Sequence, residues 1–122
     1  MVYHGRNHPA VVMWSIGNEI PCRGSPLGYN LSATLTQYVQ ELDPAAIQTG
    51  GGGGTGRAIT SAYPHPDNHA DPFFAPLSVA GYNYAPDQYY ADHIRAPGRV
   101  MVGTESLPNA AFQMWTAVWN SK

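Results

Sequence analysis

The chain has 122 residues, a formal net charge of −2 at pH 7 and a calculated pI of about 6.1. This balance excludes the broad basic surface that nucleic-acid binding requires, and no apolar run is long enough to span a membrane. The single cysteine, Cys22, excludes an internal disulfide and leaves the cellular localisation open. Charged residues make up only 11% of the chain, against about a quarter in typical domains. Such a composition is more typical of the interior of a larger folded protein than of a free-standing small protein with its own charged surface.

Two short apolar runs each end in a glutamate. The first, residues 11–19, ends at Glu19, and the second, residues 100–105, ends at Glu105. Continuous apolar runs are typical of parallel strands covered on both faces by helices. If the two runs are neighbouring strands of one parallel sheet, their glutamates lie at the same edge and can face each other. Cleavage of a glycosidic bond requires such a pair of carboxyl groups. The alternative is that each glutamate is a solvated loop residue or a helix cap.

Helix and strand patterns alternate along the rest of the chain. After a turn rich in Pro and Gly, apolar residues between 31 and 42 fall on one helical face, with Asn30 or Ser32 as the predicted N-cap and Asp43-Pro44 as the end. Residues 45–49 are a weak strand candidate. Residues 50–56 and 63–76 read as a long irregular region.

A third strand is predicted over residues 79–84, followed by a short helix from Pro86 toward Ile94. The strand that ends at Glu105 comes next, and a final helical stripe runs from residue 110 to residue 119. The tryptophans of the chain lie on these strand and helix stripes and are predicted to be core residues: Trp14, Trp115 and Trp119.

This order is βα repeated four times, which predicts an α/β fold with a parallel sheet and right-handed crossovers. A complete (β/α)8 TIM barrel needs about 250 residues. Residues 1–122 are therefore predicted to form about half of such a barrel, as part of one catalytic domain.

Three segments of the chain resemble a known family. Residues 6–19, which end in Asn18-Glu19, resemble the acid/base signature of glycoside hydrolase family 2, and most resemble its bacterial β-galactosidases. Residues 100–106 resemble the nucleophile strand of that family, and residues 79–84 resemble the strand between. The resemblance implies that Glu19 is the general acid/base and Glu105 the nucleophile. It also implies that Asn18 binds the sugar 2-hydroxyl and that Tyr84 contacts the nucleophile.

The resemblance implies retaining hydrolysis of a β-glycoside or oligosaccharide, with no cofactor and no metal. The matched strands are the fourth to the seventh of the family barrel, so the remainder of the barrel, or self-association, is expected to complete the site. No nucleic-acid or membrane partner is implied. His4-Gly5 stands where the family commonly has Arg-Asp. Because the family's other strands carry much of its sugar-binding surface, the isolated chain is expected to be inactive and the identity of the sugar stays open.

The sequence leaves three alternatives open. Gly51, Gly53 and Gly56 form a G-x-G-x-x-G pattern, which would suit a stand-alone module that binds a phosphate-bearing ligand, although no convincing helix or Lys follows. His65 and His69, with nearby aspartates, could recruit a divalent ion, but the prolines around them favour an extended loop. The chain could also be a catalytically inert fragment.

Overall fold

The computed structural model of the protein describes residues 1–46 and 56–120. Four parallel strands form one sheet in the order β1-β2-β3-β4. The strands are β1 (Met13–Asn18), β2 (Ala58–Pro64), β3 (Val79–Asn83) and β4 (Met101–Glu105). This arrangement confirms the predicted α/β fold of parallel βα repeats, and four strands are half of the eight in a TIM barrel.

The described helices precede, separate and follow the strands. They are α1 (Val2–Gly5), α2 (Pro26–Leu42), α3 (Asp71–Phe74), α4 (Gln88–Arg95) and α5 (Ala111–Asn120). Short 3₁₀ turns lead into α3 and α5. The long helix α2 begins earlier than predicted, because the hydroxyl of Ser25 accepts a hydrogen bond from the Gly28 N–H and Pro26 occupies the first helical position. The predicted N-caps, Asn30 and Ser32, were wrong and lie inside the helix.

Strand β2 was not predicted from the sequence. The weak strand candidate was placed too early: Ala46 makes only an isolated bridge with Arg57, and residues 47–49 lie outside the described part of the chain. The true strand is formed largely by small residues, so it shows neither an apolar run nor a clear alternation. Its position between β1 and β3 buries five of its seven residues, and this tertiary burial determines its conformation.

An aromatic core lies between the sheet and the helices. The ring of Phe74 stacks on Tyr82 at 5.5 Å between centroids, and Tyr82 stacks on Tyr89 at 5.3 Å. The prediction of a core residue was right for Trp14, which is 4% exposed, and wrong for Trp115 and Trp119, which are 65% and 57% exposed. Their exposure follows from the packing of α5, which buries only Met114 among the described residues. The two tryptophan rings stack on each other at 5.9 Å between centroids.

Asp43, the residue that ends α2, joins three elements at the opposite end of the sheet from the glutamates. Its carboxylate accepts hydrogen bonds from Trp14 Nε1 at 2.8 Å and from Arg57 Nη1 at 2.8 and 3.0 Å. Arg57 also donates to the Val11 carbonyl at 2.9 Å. Burial alone would raise the pKa of Asp43, but the Trp14 and Arg57 hydrogen bonds outweigh it and hold the pKa below its usual value. This cluster fixes where β1 and β2 start.

Candidate active site

Glu19 and Glu105 lie at the same edge of the sheet, the one formed by the C-terminal ends of the strands, although their strands are not neighbours. Glu19 directly follows β1 and Glu105 ends β4, and β2 and β3 lie between these two strands. The strand over residues 79–83 lies between them, as the resemblance implied, and β2 lies between as well. The shared edge follows from the parallel direction of all four strands, because the carboxyl ends of parallel strands meet at one edge.

Both glutamate-bearing strands contain an extra residue just before this edge. On β1 the register advances three positions, from Ser15 to Asn18, while β2 advances two, from Thr60 to Ala62. On β4 it advances two positions, from Gly103 to Glu105, while β3 advances one, from Tyr82 to Asn83. An extra residue of this kind reverses the side-chain alternation and redirects the side chains that follow. The register shifts therefore set the face on which each carboxylate projects.

The first residue after each of β1, β2 and β3 has a left-handed backbone. Glu19, His65 and Tyr84 have φ values of 49°, 44° and 57°. Each donates its backbone N–H to a carbonyl of the next strand, at 3.1 Å to Ala62, 3.0 Å to Asn83 and 3.0 Å to Glu105. A left-handed non-glycine residue costs about 1–2 kcal/mol, and these hydrogen bonds help to offset that cost. As a result, the chain turns sharply after each of these strands and keeps the three residues at the C-terminal end of the sheet.

Asn83 connects the residues that were predicted to form the acid/base side of the site. Its Nδ2 group donates to Asn18 Oδ1 at 3.1 Å and to Glu19 Oε1 at 2.9 Å. Its Oδ1 accepts a hydrogen bond from the Thr104 hydroxyl at 2.6 Å. Asn83 is fully buried. Its amide is held by residues at the end of β1 on one side and by Thr104 of β4 on the other.

Tyr84 and Glu105 form the second cluster. The Tyr84 hydroxyl donates a hydrogen bond to Glu105 Oε2. The hydrogen bond to Glu105 is the main cause that raises the pKa of Tyr84, and desolvation and the nearby carboxyl groups add to the effect. The phenol is therefore a neutral donor over the physiological pH range. The His65 ring lies nearby, with its centroid 6.0 Å from that of Tyr84.

All four residues predicted from the sequence lie at this end of the sheet: Tyr84 contacts Glu105, and Asn18 and Glu19 share the amide of Asn83. The structure adds Asn83 and Thr104, which the sequence analysis did not single out. A signal for Asn83 was present, because Asn83-Tyr84 repeats the pattern of Asn18-Glu19, with an asparagine as the last strand residue before the turn. The polar side chain at the end of a buried run was the feature to follow.

The aspartates near the two histidines of the possible metal site have other partners, and most of the possible phosphate site lies outside the described residues. Asp67 caps the following 3₁₀ turn and contacts the His69 ring at 3.2 Å, while Asp71 pairs with Arg95 and Arg99. In residues 1–46 and 56–120, no three metal-ligating side chains are grouped around a common point. The glycine pattern lies outside the described residues except for its last glycine. No helix in the described part of the chain is long and apolar enough to cross a membrane.

Comparison with known proteins gives similar sequences among glycosidases. Mannan endo-1,4-β-mannosidase F of Aspergillus clavatus is 32% identical over 61% of this chain and 18% of that protein. β-Glucuronidase of Rattus norvegicus is 46% identical over 36% of this chain and 7% of that protein. β-Galactosidase of Pectobacterium atrosepticum is 38% identical over 52% of this chain and 6% of that protein. The chain spans less than a fifth of the length of these relatives.

Structural comparison agrees over nearly the whole chain. A glycosyl hydrolase family 2 member from Bacteroides cellulosilyticus superposes with a TM-score of 0.85 at 36% sequence identity, covering 98% of this chain and 14% of that one. The sequence model described as "Glycosyl hydrolases family 2, TIM barrel domain" matches residues 1–61, which are half of the chain. The chain therefore belongs to glycoside hydrolase family 2 and forms part of its TIM-barrel domain.

Proposed function

We propose that residues 1–122 are part of the catalytic barrel of a larger retaining β-galactosidase. Glu105 is the nucleophile and Glu19 the general acid/base of this enzyme. The observation that carries the proposal is the arrangement at the sheet edge: Tyr84 contacts one carboxylate, Asn83 holds the other, and both project from the same edge. The remaining barrel strands, or a second copy of this chain, would cover the outer strands β1 and β4.

The first half of the reaction forms a covalent intermediate. A carboxylate oxygen of Glu105 attacks the anomeric carbon while the bond from that carbon to the leaving oxygen breaks, and Glu19 gives its proton to that oxygen. In the second half, Glu19 takes a proton from water, and the water oxygen replaces Glu105 on the anomeric carbon. A retaining enzyme needs the two carboxyl groups about 5–5.5 Å apart. Because β1 and β4 are not neighbours, the side chains must converge toward the axis of a closed barrel to reach that separation.

Two neighbours support these roles. The Tyr84 hydroxyl occupies Oε2 of Glu105, which orients the carboxylate and leaves Oε1 for the sugar. On the other side, Asn83 holds Oδ1 of Asn18, so that the amide nitrogen of Asn18 faces away from this contact and can donate to the sugar 2-hydroxyl. Hydrogen bonds to that hydroxyl strengthen in the transition state of glycoside cleavage.

The choice of galactoside rests on the resemblance of residues 6–19 and 100–106 to bacterial β-galactosidases and on the Pectobacterium relative. The mannosidase and glucuronidase relatives make the matching aryl glycosides the natural comparison substrates. The enzyme that carries this segment should have its highest kcat/KM on the aryl β-galactoside. A higher value on the mannoside or the glucuronide would overturn the galactoside assignment and leave the carboxylate roles intact.

The decisive experiment traps the covalent intermediate. The full enzyme that carries this segment is incubated with a 2-fluoro β-galactoside that has a dinitrophenolate leaving group, and the labelled peptide is found by mass spectrometry. The label is expected on Glu105, and Glu105→Gln should take up none. The first-formed sugar of ordinary turnover should be the β-anomer by NMR. A label on another residue, or an α-anomer formed first, would overturn the proposal.

A further inference from the structure

We propose that Asn83 is a positioning residue that sets the proton-donor geometry of the acid/base, and that Thr104 holds it in place. This inference rests on the proposed function, because it assigns a role within the same reaction. Asn83 sits at the end of β3, beside Glu105 in the strand register, yet its side chain reaches past β2 to residues of the β1 end. It therefore links the strand that carries the nucleophile to the turn that carries the acid.

The amide orientation of Asn83 is determined by its neighbours. Glu19 Oε1 and Asn18 Oδ1 can only accept hydrogen bonds, so they require the NH₂ group at 2.9 and 3.1 Å. The Thr104 hydroxyl donates to the remaining oxygen at 2.6 Å. The opposite orientation would place the amide oxygen against the Glu19 carboxylate and leave two acceptors without a donor. A buried amide with every contact used in this way has one stable orientation.

A glycine lies beside this chain of hydrogen bonds. Gly81 lies two residues before Asn83 on the same face of β3, and a Cβ atom there would lie 3.0 Å from Cγ2 of Thr104 and 2.6 Å from the Ser61 carbonyl oxygen. Contacts under about 3 Å force something to move. A side chain at Gly81 would therefore clash with the Ser61 carbonyl and would also press on the methyl group of Thr104, the residue that bonds Asn83.

The consequence is specific to one step of the reaction. A general acid must lie within hydrogen-bond reach of the leaving oxygen, and Asn83 fixes which Glu19 oxygen stays free for that contact. When the leaving group is a stable anion, no proton is needed. Loss of Asn83 should therefore slow the cleavage of substrates with poor leaving groups far more than the cleavage of activated ones. Because Asn83 also fixes Asn18, the preference for a substrate with a 2-hydroxyl over its 2-deoxy analogue should fall.

The test compares leaving groups in the full enzyme that carries this segment. Asn83→Leu keeps the side-chain shape and removes all three hydrogen bonds. Its kcat/KM on a phenyl β-galactoside should fall at least about tenfold more than on the dinitrophenyl β-galactoside, since general acid catalysis typically contributes about 10²–10⁴ in rate. Thr104→Val, which keeps shape and loses only the donor, should change the same ratio in the same direction, whereas Thr104→Ser should restore it.

The matched control is Tyr82→Phe. Tyr82 is fully buried in the same strand, and its hydroxyl bonds Asp92 at 2.6 Å on the helix side of the sheet. This variant should lose stability without changing the leaving-group ratio. If Asn83→Leu does not fold, the Thr104 pair decides the question. A wild-type enzyme that forms no intermediate on Glu105 would overturn the proposed function. An intermediate on Glu105 with unchanged ratios in the Asn83 and Thr104 variants would overturn only the role of Asn83.

Discussion

Tyr84 donates two hydrogen bonds to Glu105, one from its backbone and one from its side chain. Its N–H donates to the Glu105 carbonyl at 3.0 Å, and its hydroxyl donates to Oε2 of the same residue. The left-handed backbone of Tyr84 makes both contacts possible, because the residue leaves β3 while its ring stays over the end of β4. Such a double contact holds the proposed nucleophile against the sheet edge.

The first prediction concerns this contact. Tyr84→Phe removes the donor to Glu105, and hydrogen bonds to charged groups are worth enough to change kcat by roughly tenfold or more. We expect kcat of the full enzyme to fall by at least that factor, with the rate of labelling by the 2-fluoro substrate reduced in parallel. Tyr90→Phe is the control, because Tyr90 lies exposed on α4. Equal kinetics of the two variants would contradict the role of Tyr84.

The second prediction distinguishes the two glutamates by stereochemistry. In Glu19→Ala, azide should react with the covalent intermediate formed from the dinitrophenyl substrate and give the β-galactosyl azide. In Glu105→Ala, azide should attack the substrate directly and give the α-galactosyl azide. NMR of the products distinguishes the anomers. If the anomers formed are reversed between the variants, the acid/base and the nucleophile have been interchanged.

The third prediction is that the 122-residue chain alone does not cleave an aryl β-galactoside measurably. The proposed catalytic pair is present, but catalysis depends on holding the sugar at near-attack distance, and an error of about 1 Å can cost about a hundredfold in rate. The apolar residues left exposed on α5 and on the outer strands, Phe112, Trp115 and Met13 among them, indicate surfaces that partners would cover. The purified chain is compared with its Glu105→Gln form. Turnover present only in the unmodified chain would show that the half barrel suffices.

The fourth prediction concerns stability. Asp43→Ala leaves Arg57 without its buried partner, and breaking a buried ion pair typically costs about 3–5 kcal/mol. The free energy of unfolding of the chain, measured by urea titration, should fall by about that amount. Glu41→Ala removes an exposed carboxylate two residues away and should change the free energy of unfolding by less than about 0.5 kcal/mol. Similar losses in the two variants would show that the Asp43 cluster does not anchor the strands.

The Asp43 cluster also gives a pH dependence with a definite sign. The hydrogen bonds to its carboxylate lower the folded-state pKa below the ordinary value of 3.8. The extra stability is therefore fully present above the ordinary pKa and is lost as the pH falls through the lower, folded-state pKa. The difference in stability between the unmodified chain and Asp43→Asn should shrink over that acidic window. A difference that stays constant down to that pH would contradict the assignment.

The sequence by itself determined the alternation of elements and the position of both glutamates in it. The apolar runs before Glu19 and Glu105, and the helical stripes after them, are local patterns that depend only on neighbouring residues. They predicted β1, β3 and β4, together with the region of each longer helix. The end of α2 at Asp43 was predicted, whereas its N-cap, Ser25, and strand β2 were missed because small residues and turn chemistry leave a weak pattern.

Only the tertiary structure decided which residues surround the carboxylates. The strand order places β2 and β3 between the glutamates, and the extra residue on β1 and on β4 sets the side-chain direction. Asn83 contacts Glu19 across 64 positions of the chain, and no local pattern encodes a hydrogen bond at that separation. Likewise, the exposure of Trp115 depends on which elements pack against α5. Contacts of this kind arise from register and packing, which are properties of the folded sheet as a whole.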